Sequence, residues 1–161
     1  MSVVTRAAHA KPPRRRHGKA AMAVHAAPRD PAEPWRVLVV EDSVDLAVVL
    51  ERVIRSVARG AQLDWVETAA AGLHRIHTRP YDLVLADYFL GGVRSGLTLY
   101  DECTRHQELA VFAMMSSLKV DNFLALTNAR PIPFLPKPFT VNECSAFLHA
   151  ALRDGRAGRT S

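Results

Sequence analysis

Four apolar runs in this chain each lead to a side chain that can handle charge. Residues 37–40 (Val-Leu-Val-Val) run into Glu41 and Asp42. Residues 83–86 (Leu-Val-Leu-Ala) stop at Asp87. Residues 111–115 end at Ser116, and residues 132–135 are followed, after Pro136, by Lys137. A short aliphatic run bounded by turn signals reads as a buried parallel strand. The carboxyl ends of such strands are where open α/β sheets place their ligands. If these runs are parallel, three carboxylates, a hydroxyl and an ammonium group share one edge of the sheet. A lone aspartate at Asp87 would be read as the start of a turn, which Asp often is. Four strand ends that all carry chemistry make that reading inadequate.

Carboxylates held close repel one another and need a counter-charge. Lys137 alone would balance one acid and leave two. A hard divalent cation supplies the remainder, and Mg²⁺ suits one or two carboxylates completed by water and phosphate oxygens. No His or Cys stands among these strand ends, which argues against zinc and against a thiol nucleophile. No Gly-rich loop followed by Lys-Ser/Thr occurs, which argues against a nucleoside triphosphatase. A carboxylate nucleophile beside Mg²⁺, a lysine and a hydroxyl is equipped to accept a phosphoryl group.

The elements that must position these groups alternate in type. After residues 37–40, apolar residues Leu46, Val49, Leu50, Val53, Ile54 and Val57 recur at helical spacing. Ser43 or Asp42 is the N-cap and Gly60 the stop. Residues 63–66 form a second strand. Thr68 caps a helix carrying Leu73 and Ile76, which ends before Pro80. The Asp87 strand and a Gly-Gly loop come next. Gly96 then opens a helix with Leu97, Tyr100 and Cys103 on one face. Residues 111–115 are the fourth strand, followed by a helix with Val120, Phe123, Leu124 and Leu126. Residues 132–135 are the fifth strand, and the last helix shows Val141, Cys144, Phe147, Leu148 and Ala151. Five strand–helix units with short connections imply an α/β fold with parallel strands and right-handed crossovers.

The chain has 161 residues, 48% hydrophobic, with a net charge of +5. Residues 1–34 carry seven basic side chains against Asp30 and Glu33, and the rest of the chain is balanced. The basic character therefore belongs to residues 1–34, expected to be a disordered leader rich in Ala, Arg, His and Pro. A nucleic-acid role would rest on that leader alone, so nucleic acid is not the expected partner. Residues 35–152 are expected to be the one domain, and residues 153–161 a flexible tail. No apolar run approaches the ~20 residues of a membrane helix. Cys103 and Cys144 fall at apolar helix positions, giving neither a disulfide framework nor a zinc set. A reducing cytoplasm is the expected setting.

With these residues in hand, residues 37–152 resemble a response regulator receiver domain. The matching pieces are Glu41-Asp42, Asp87 in Asp-Tyr-Phe-Leu-Gly, Gly96 in Ser-Gly-Leu, Ser116 in Met-Met-Ser-Ser, and Phe-Leu-Pro-Lys-Pro-Phe around Lys137. The resemblance implies a three-layer (βα)5 flavodoxin-like, doubly wound parallel sheet of order 2-1-3-4-5, an order that general accounts of this fold already attach to the family. It implies that Asp87 takes a phosphoryl group from a sensor histidine kinase or a histidine phosphotransfer protein in a phosphorelay. Asp42 would bind Mg²⁺ directly, Glu41 through water, and Asp87 and the backbone carbonyl of Phe89 would complete the protein ligands. Lys137 and Ser116 would contact the phosphoryl group. Ser116 and Phe134 would be the switch pair, acting on a downstream protein through the face of the fourth helix, fifth strand and fifth helix. Such a protein catalyses only its own phosphorylation and dephosphorylation. No output domain is visible, so a stand-alone regulator is implied. The Lys137–Pro138 bond matches one that is usually cis. Phe89 and Leu118, apolar at positions that influence water access, imply slow loss of the phosphoryl group.

Three departures stand out. The stretch from Asp87 to Gly96 is one residue longer than the family pattern, and Gly91 stands where proline is common. Phe134 lacks the hydroxyl a tyrosine would bring. Two other readings are kept. One is a degenerate receiver acting as a constitutive protein-interaction module. The other is an Mg²⁺-dependent phosphatase or phosphotransferase, which would need a second acid soon after Asp87, where Tyr88, Phe89 and Leu90 stand. His74 and His77, three apart on one helix, lack a third ligand in the sequence and read as a solvent-facing pair. Trp35 and Trp65 read as packing residues.

Overall fold

Consecutive β-branched and aliphatic residues, flanked by helices of 3.6-residue period, build a doubly wound sheet. The computed structural model describes residues 33–91, 95–106 and 110–159, with side chains as far as Arg153. The expected disordered leader thus lies, but for Glu33 and Pro34, outside the described residues. The strands are β1 (Arg36–Val40), β2 (Gln62–Val66), β3 (Leu83–Asp87), β4 (Val111–Ser116) and β5 (Phe134–Pro136). The helices are α1 (Val44–Val57), α2 (Ala69–Thr78), α3 (Gly96–His106), α4 (Val120–Leu126) and α5 (Val141–Arg159). All pairings are parallel and the order is β2-β1-β3-β4-β5. The flavodoxin-like (βα)5 architecture expected from the sequence is the one present.

Two apolar cores fill the two sides of the sheet. Val37, Val39, Leu83, Leu85, Ala113 and Met115 pack with α1 and α5. Leu38, Val40, Val84, Ala86, Phe112 and Met114 pack with α2, α3 and α4. β3 is buried along its whole length, as the central strand of a doubly covered sheet must be. The buried Asp82 serves the fold, since its carboxylate accepts from the backbone N–H of Arg36 at 2.7 Å. It ties the entry of β3 to that of β1, at the opposite edge from Asp87.

Local chemistry sets the element ends. Ser43 caps α1 by accepting from Leu46 N, and Thr68 caps α2 by accepting from Ala71 N. Gly60 follows α1 in the left-handed region, φ +79°. Several expectations need correction. In α3 the fully buried residue beside Cys103 is Leu99, with Leu97 and Tyr100 only partly covered. Val49, Val120, Leu124 and Val141, expected on core faces, are exposed. β5 is three residues, not four from Ile132, because Pro131 and Pro133 have no N–H for a ladder. Helix α5 continues through Arg159, so the expected tail from residue 153 is largely helical, and Gly155 and Gly158 do not stop it.

Both cysteines are buried. Burial pushes the Cys103 thiol up to about 12 and the Cys144 thiol up to about 11. A neutral buried thiol is a poor nucleophile. Neither cysteine is expected to react with iodoacetamide at mildly alkaline pH in the folded protein, whereas both should label in urea. Mass spectrometry before and after unfolding reads this, and labelling of the native protein at the rate of the unfolded one would contradict it.

Candidate functional site

The register of the sheet brings the expected residues to one edge. Val40, Ala86, Met114 and Phe134 form a transverse row across β1, β3, β4 and β5. One residue further along each strand stand Glu41 and Asp87, beside Met115. Ser116 and Pro136 pair in the next row, and Lys137 follows at once. Lys137 N donates to Ser116 O at 2.7 Å, which fixes the departing chain against the end of β4. The Lys137–Pro138 peptide bond is cis, as the family resemblance implied.

Lys137 is the electrostatic centre. Its Nζ donates to Glu41 Oε2 at 2.7 Å and to Asp87 Oδ2 at 2.8 Å. The Glu41 side chain is 1% exposed and that of Lys137 18%. Glu41 Oε1 also accepts from Ser43 N at 3.2 Å. Burial pushes the Glu41 carboxyl above its ordinary value, only partly opposed by its hydrogen bond from Lys137, while the nearby Asp87 charge raises it further. For Lys137, burial works to lower the ammonium, but the hydrogen bonds and charges of Asp87 and Glu41 prevail and hold it above its ordinary value. Lys137 is a fixed cation, and Glu41 is an acid held away from its solution behaviour.

Asp42 faces solvent, and its Oδ2 accepts from Gly91 N at 3.1 Å. Gly91 is left-handed, φ +59°. A proline there would have neither the N–H nor the φ, so this chain closes the start of its loop differently from the family pattern. Residues 92–94 of that loop lie outside the described residues. Asp87 Oδ1 accepts from Phe89 N at 3.3 Å. The carboxylates of Glu41, Asp42 and Asp87 have ligand atoms within 4.8 Å of one another, a spacing that fits one small cation.

Ser116 is fully buried, and its Oγ accepts from Leu118 N at 3.2 Å, leaving its O–H as a donor. Phe134 is partly buried and stacks on Phe123 with centroids 4.0 Å apart and an interplanar angle of 11°. Tyr88, fully buried, meets Phe123 edge-on at 6.1 Å, so the residue after the acid and the aromatic of β5 share one neighbour. Gly96 N donates to Tyr88 O at 3.2 Å, seating α3 directly on the end of β3. One contact has no signal in the sequence. Trp65, read as a packing residue, donates its indole N–H to the Glu41 carbonyl at 2.9 Å. The two residues are 24 apart in the chain, and only the β1–β2 register reveals the link.

A five-stranded doubly wound sheet whose switch edge carries an acid cluster, a lysine and a hydroxyl defines a receiver. The family model of the response regulator receiver domain matches residues 37–149. The chain belongs to that family, whose members are signalling modules of two-component systems. Among its relatives is the transcriptional regulatory protein TctD of Salmonella typhimurium, 32% identical over 119 residues. That alignment takes in 73% of this chain and 52% of TctD, so the chain spans about half the length of the curated relatives it matches. The fold is shared with the signal receiver domain of a putative Luxo repressor protein from Vibrio parahaemolyticus, at TM-score 0.66 and 20% identity, covering 78% of this chain and 95% of that one. A CheY-like receiver domain protein from Methanospirillum hungatei gives TM-score 0.66 at 17% identity, covering 78% and 98%. Among the described residues, no helix is long and apolar enough to cross a membrane.

Proposed function

We propose that Asp87 is the phosphoryl acceptor of a phosphorelay, loaded from the phosphohistidine of a sensor kinase or phosphotransfer protein. One observation carries this reading most: a buried lysine bridges Asp87 and Glu41, so the acceptor stands beside a fixed cation at the open end of the sheet. An Asp87 carboxylate oxygen attacks phosphorus as the P–N bond breaks. The imidazole leaves with the bonding pair and an acyl phosphate forms on Asp87. Lys137, relieved of the Asp87 charge, turns to the phosphoryl oxygens, and the Ser116 O–H donates to one of them. Glu41, Asp42, Asp87 and the Phe89 carbonyl would hold Mg²⁺. Bound there, Mg²⁺ supplies neutralisation of charge on the phosphoryl oxygens.

The switch follows from the same contacts. Once Ser116 is drawn to the phosphoryl group, the loop between Ser116 and α4 moves with it, because Leu118 N is bonded to the Ser116 hydroxyl. Phe134, stacked on Phe123 of α4, carries that movement to β5. Such a change biases two conformations already in equilibrium. The face of α4, β5 and α5 presents exposed Val120, Leu124 and Val141, which suit a downstream protein partner. In this reading the domain acts through protein contact.

The test is incubation with acetyl phosphate and Mg²⁺, read by intact mass. The expected result is a gain of one phosphoryl group, lost with EDTA and lost in Asp87→Asn. The same spectra followed in time report the lifetime. Phe89 and Leu118, both partly buried and apolar, favour decay over minutes rather than seconds. No mass gain in the parent protein, together with no Mg²⁺ binding, would overturn the acceptor reading in favour of a constitutive interaction module.

A further inference from the structure

A second cluster of ionisable groups stands at the other end of the helices. α2 and α3 start near the acid edge and run back along the sheet, so their last turns lie far from Asp87. His77 in the last turn of α2 meets Glu102 and His106 of α3 there. His77 Nε2 is 2.9 Å from Glu102 Oε2, and His106 Nε2 is 3.3 Å from that same oxygen. The two imidazoles cross edge to face, with centroids 4.5 Å apart and planes at 73°. Two rings thus turn the same nitrogen toward one carboxylate oxygen. Arg105 pairs with the other oxygen, Oε1, and holds the carboxylate in that orientation.

We propose that His77, Glu102 and His106 form a site for a zinc-type divalent cation, bound through the two Nε2 atoms and Glu102 Oε2. Glu102 and His106 are one helical turn apart, and all three ligand atoms lie within 4.8 Å. Ligands about 2.0 Å from a tetrahedral Zn²⁺ are separated from each other by about 3.3 Å. The His106–Glu102 separation matches, and the His77–Glu102 pair needs to open by a few tenths of an ångström. Two imidazoles and one carboxylate leave a fourth position for water, the ligand set of an accessible zinc site. His77 is 42% exposed, so an ion can enter, whereas His106 is 13% exposed and held. The hydrogen bond from His77, with Arg105 assisting, keeps the Glu102 carboxyl below its ordinary value, so it is ionised at neutral pH. Imidazole ligands select a borderline-soft ion over Mg²⁺. The two clusters differ in hardness: oxygen atoms alone at the acid edge, two imidazole nitrogens and one oxygen here. Zinc at this position staples α2 to α3.

The test is calorimetric titration of the full chain with Zn²⁺ in excess Mg²⁺, in the background of Asp42→Asn to weaken the acid edge. The expected result is one Zn²⁺ bound at about micromolar Kd or tighter, weakened at least about tenfold by His106→Ala and by Glu102→Gln. His74→Ala, a neighbour on α2 outside the cluster, should leave that affinity unchanged. Co²⁺ gives a second, spectroscopic readout. The unaltered chain should show the visible absorption of a four-coordinate nitrogen–oxygen site, and His77→Ala should lose it. Binding of equal strength in the His77→Ala/His106→Ala double variant would assign the ion to the other histidines of the chain and overturn the proposal. So would the absence of Zn²⁺ binding, which would leave a hydrogen-bonded histidine–carboxylate cluster. Neither result bears on phosphoryl uptake at Asp87.

Discussion

Lys137→Met is expected to cost about 3 kcal/mol of stability at neutral pH, the cost of stripping one partner from a buried ion cluster. The side chain it removes donates to both Glu41 and Asp87. Methionine fills similar volume, so the loss is electrostatic and not a cavity effect. What remains is two carboxylates facing one another, one of them fully buried. The least costly relief is a proton on Glu41, whose carboxyl burial already raises in the parent protein. Removing Lys137 deletes the hydrogen bond and charge that oppose the rise, so the value climbs further. The sign follows from linkage: the fold binds this proton more tightly than the unfolded chain, so stability rises as pH falls through the raised folded value toward 4.5. The deficit of Lys137→Met should therefore be greatest at neutral and mildly alkaline pH and shrink under acid. Millimolar Mg²⁺ should restore part of it by supplying the missing positive charge. Asp87→Asn removes a negative charge instead, and its effect is smaller. It leaves Lys137 paired with Glu41 alone, a balanced pair, and should cost less than about 1 kcal/mol. Urea denaturation of the three proteins at several pH values, with and without Mg²⁺, measures all of this. Equal midpoints for Lys137→Met and the parent would contradict the bridging role.

Gly96→Ala should produce the second large effect, a loss of about 2 kcal/mol from overpacking. A Cβ at position 96 would lie 2.7 Å from the Asp87 carbonyl oxygen, 2.8 Å from Tyr88 Cα and 3.2 Å from the Tyr88 carbonyl oxygen. These are backbone atoms at the end of β3 and have no rotamer in which to retreat. Alanine's better helix propensity returns no more than about 1 kcal/mol. Either α3 lifts off the sheet or the chain after Asp87 shifts. Both movements disturb Phe89, whose N–H is bonded to the Asp87 carboxylate. Thermal unfolding should show the lower stability, and acetyl phosphate labelling should show slower uptake at temperatures where the variant remains folded. A variant that melts and labels like the parent would refute the close approach.

How far the site is legible in the sequence depends on what positions each residue. Glu41, Asp42, Asp87, Ser116 and Lys137 each end or follow an apolar strand, and parallel order alone carries them to one edge. Nothing more than that pattern is required. Contacts that cross between elements are not legible. The indole of Trp65 reaching the Glu41 carbonyl depends on strand register. The histidine cluster is half visible, because the sequence sets His77 beside His74 on its own helix while its true neighbours sit on α3. Helix faces are legible only in part. Periodicity identifies an apolar stripe, but the width of the stripe that the sheet covers is set by the partner surface. Val49, Val120, Leu124 and Val141 lie at its margins and emerge into solvent. β5 reads as longer than it is when its aliphatic residues are weighed above the missing N–H groups of Pro131 and Pro133.

The bridge made by Lys137 also bears on how the molecule assembles. The ammonium lies 96 residues along the chain from Glu41 and 50 from Asp87. It arrives only when the last strand docks at the rim of the sheet. Contacts of such long sequence separation form slowly, because the loop between them must close before they contribute. Until then the two acids face each other without a lysine, and that edge of the sheet is electrostatically unfinished. A chain still lacking β5 would have every carboxylate of the edge in place before its lysine arrives. Charge balance at this edge is thereby tied to completion of the fold, and a half-made molecule would carry its acids there without the lysine that offsets them.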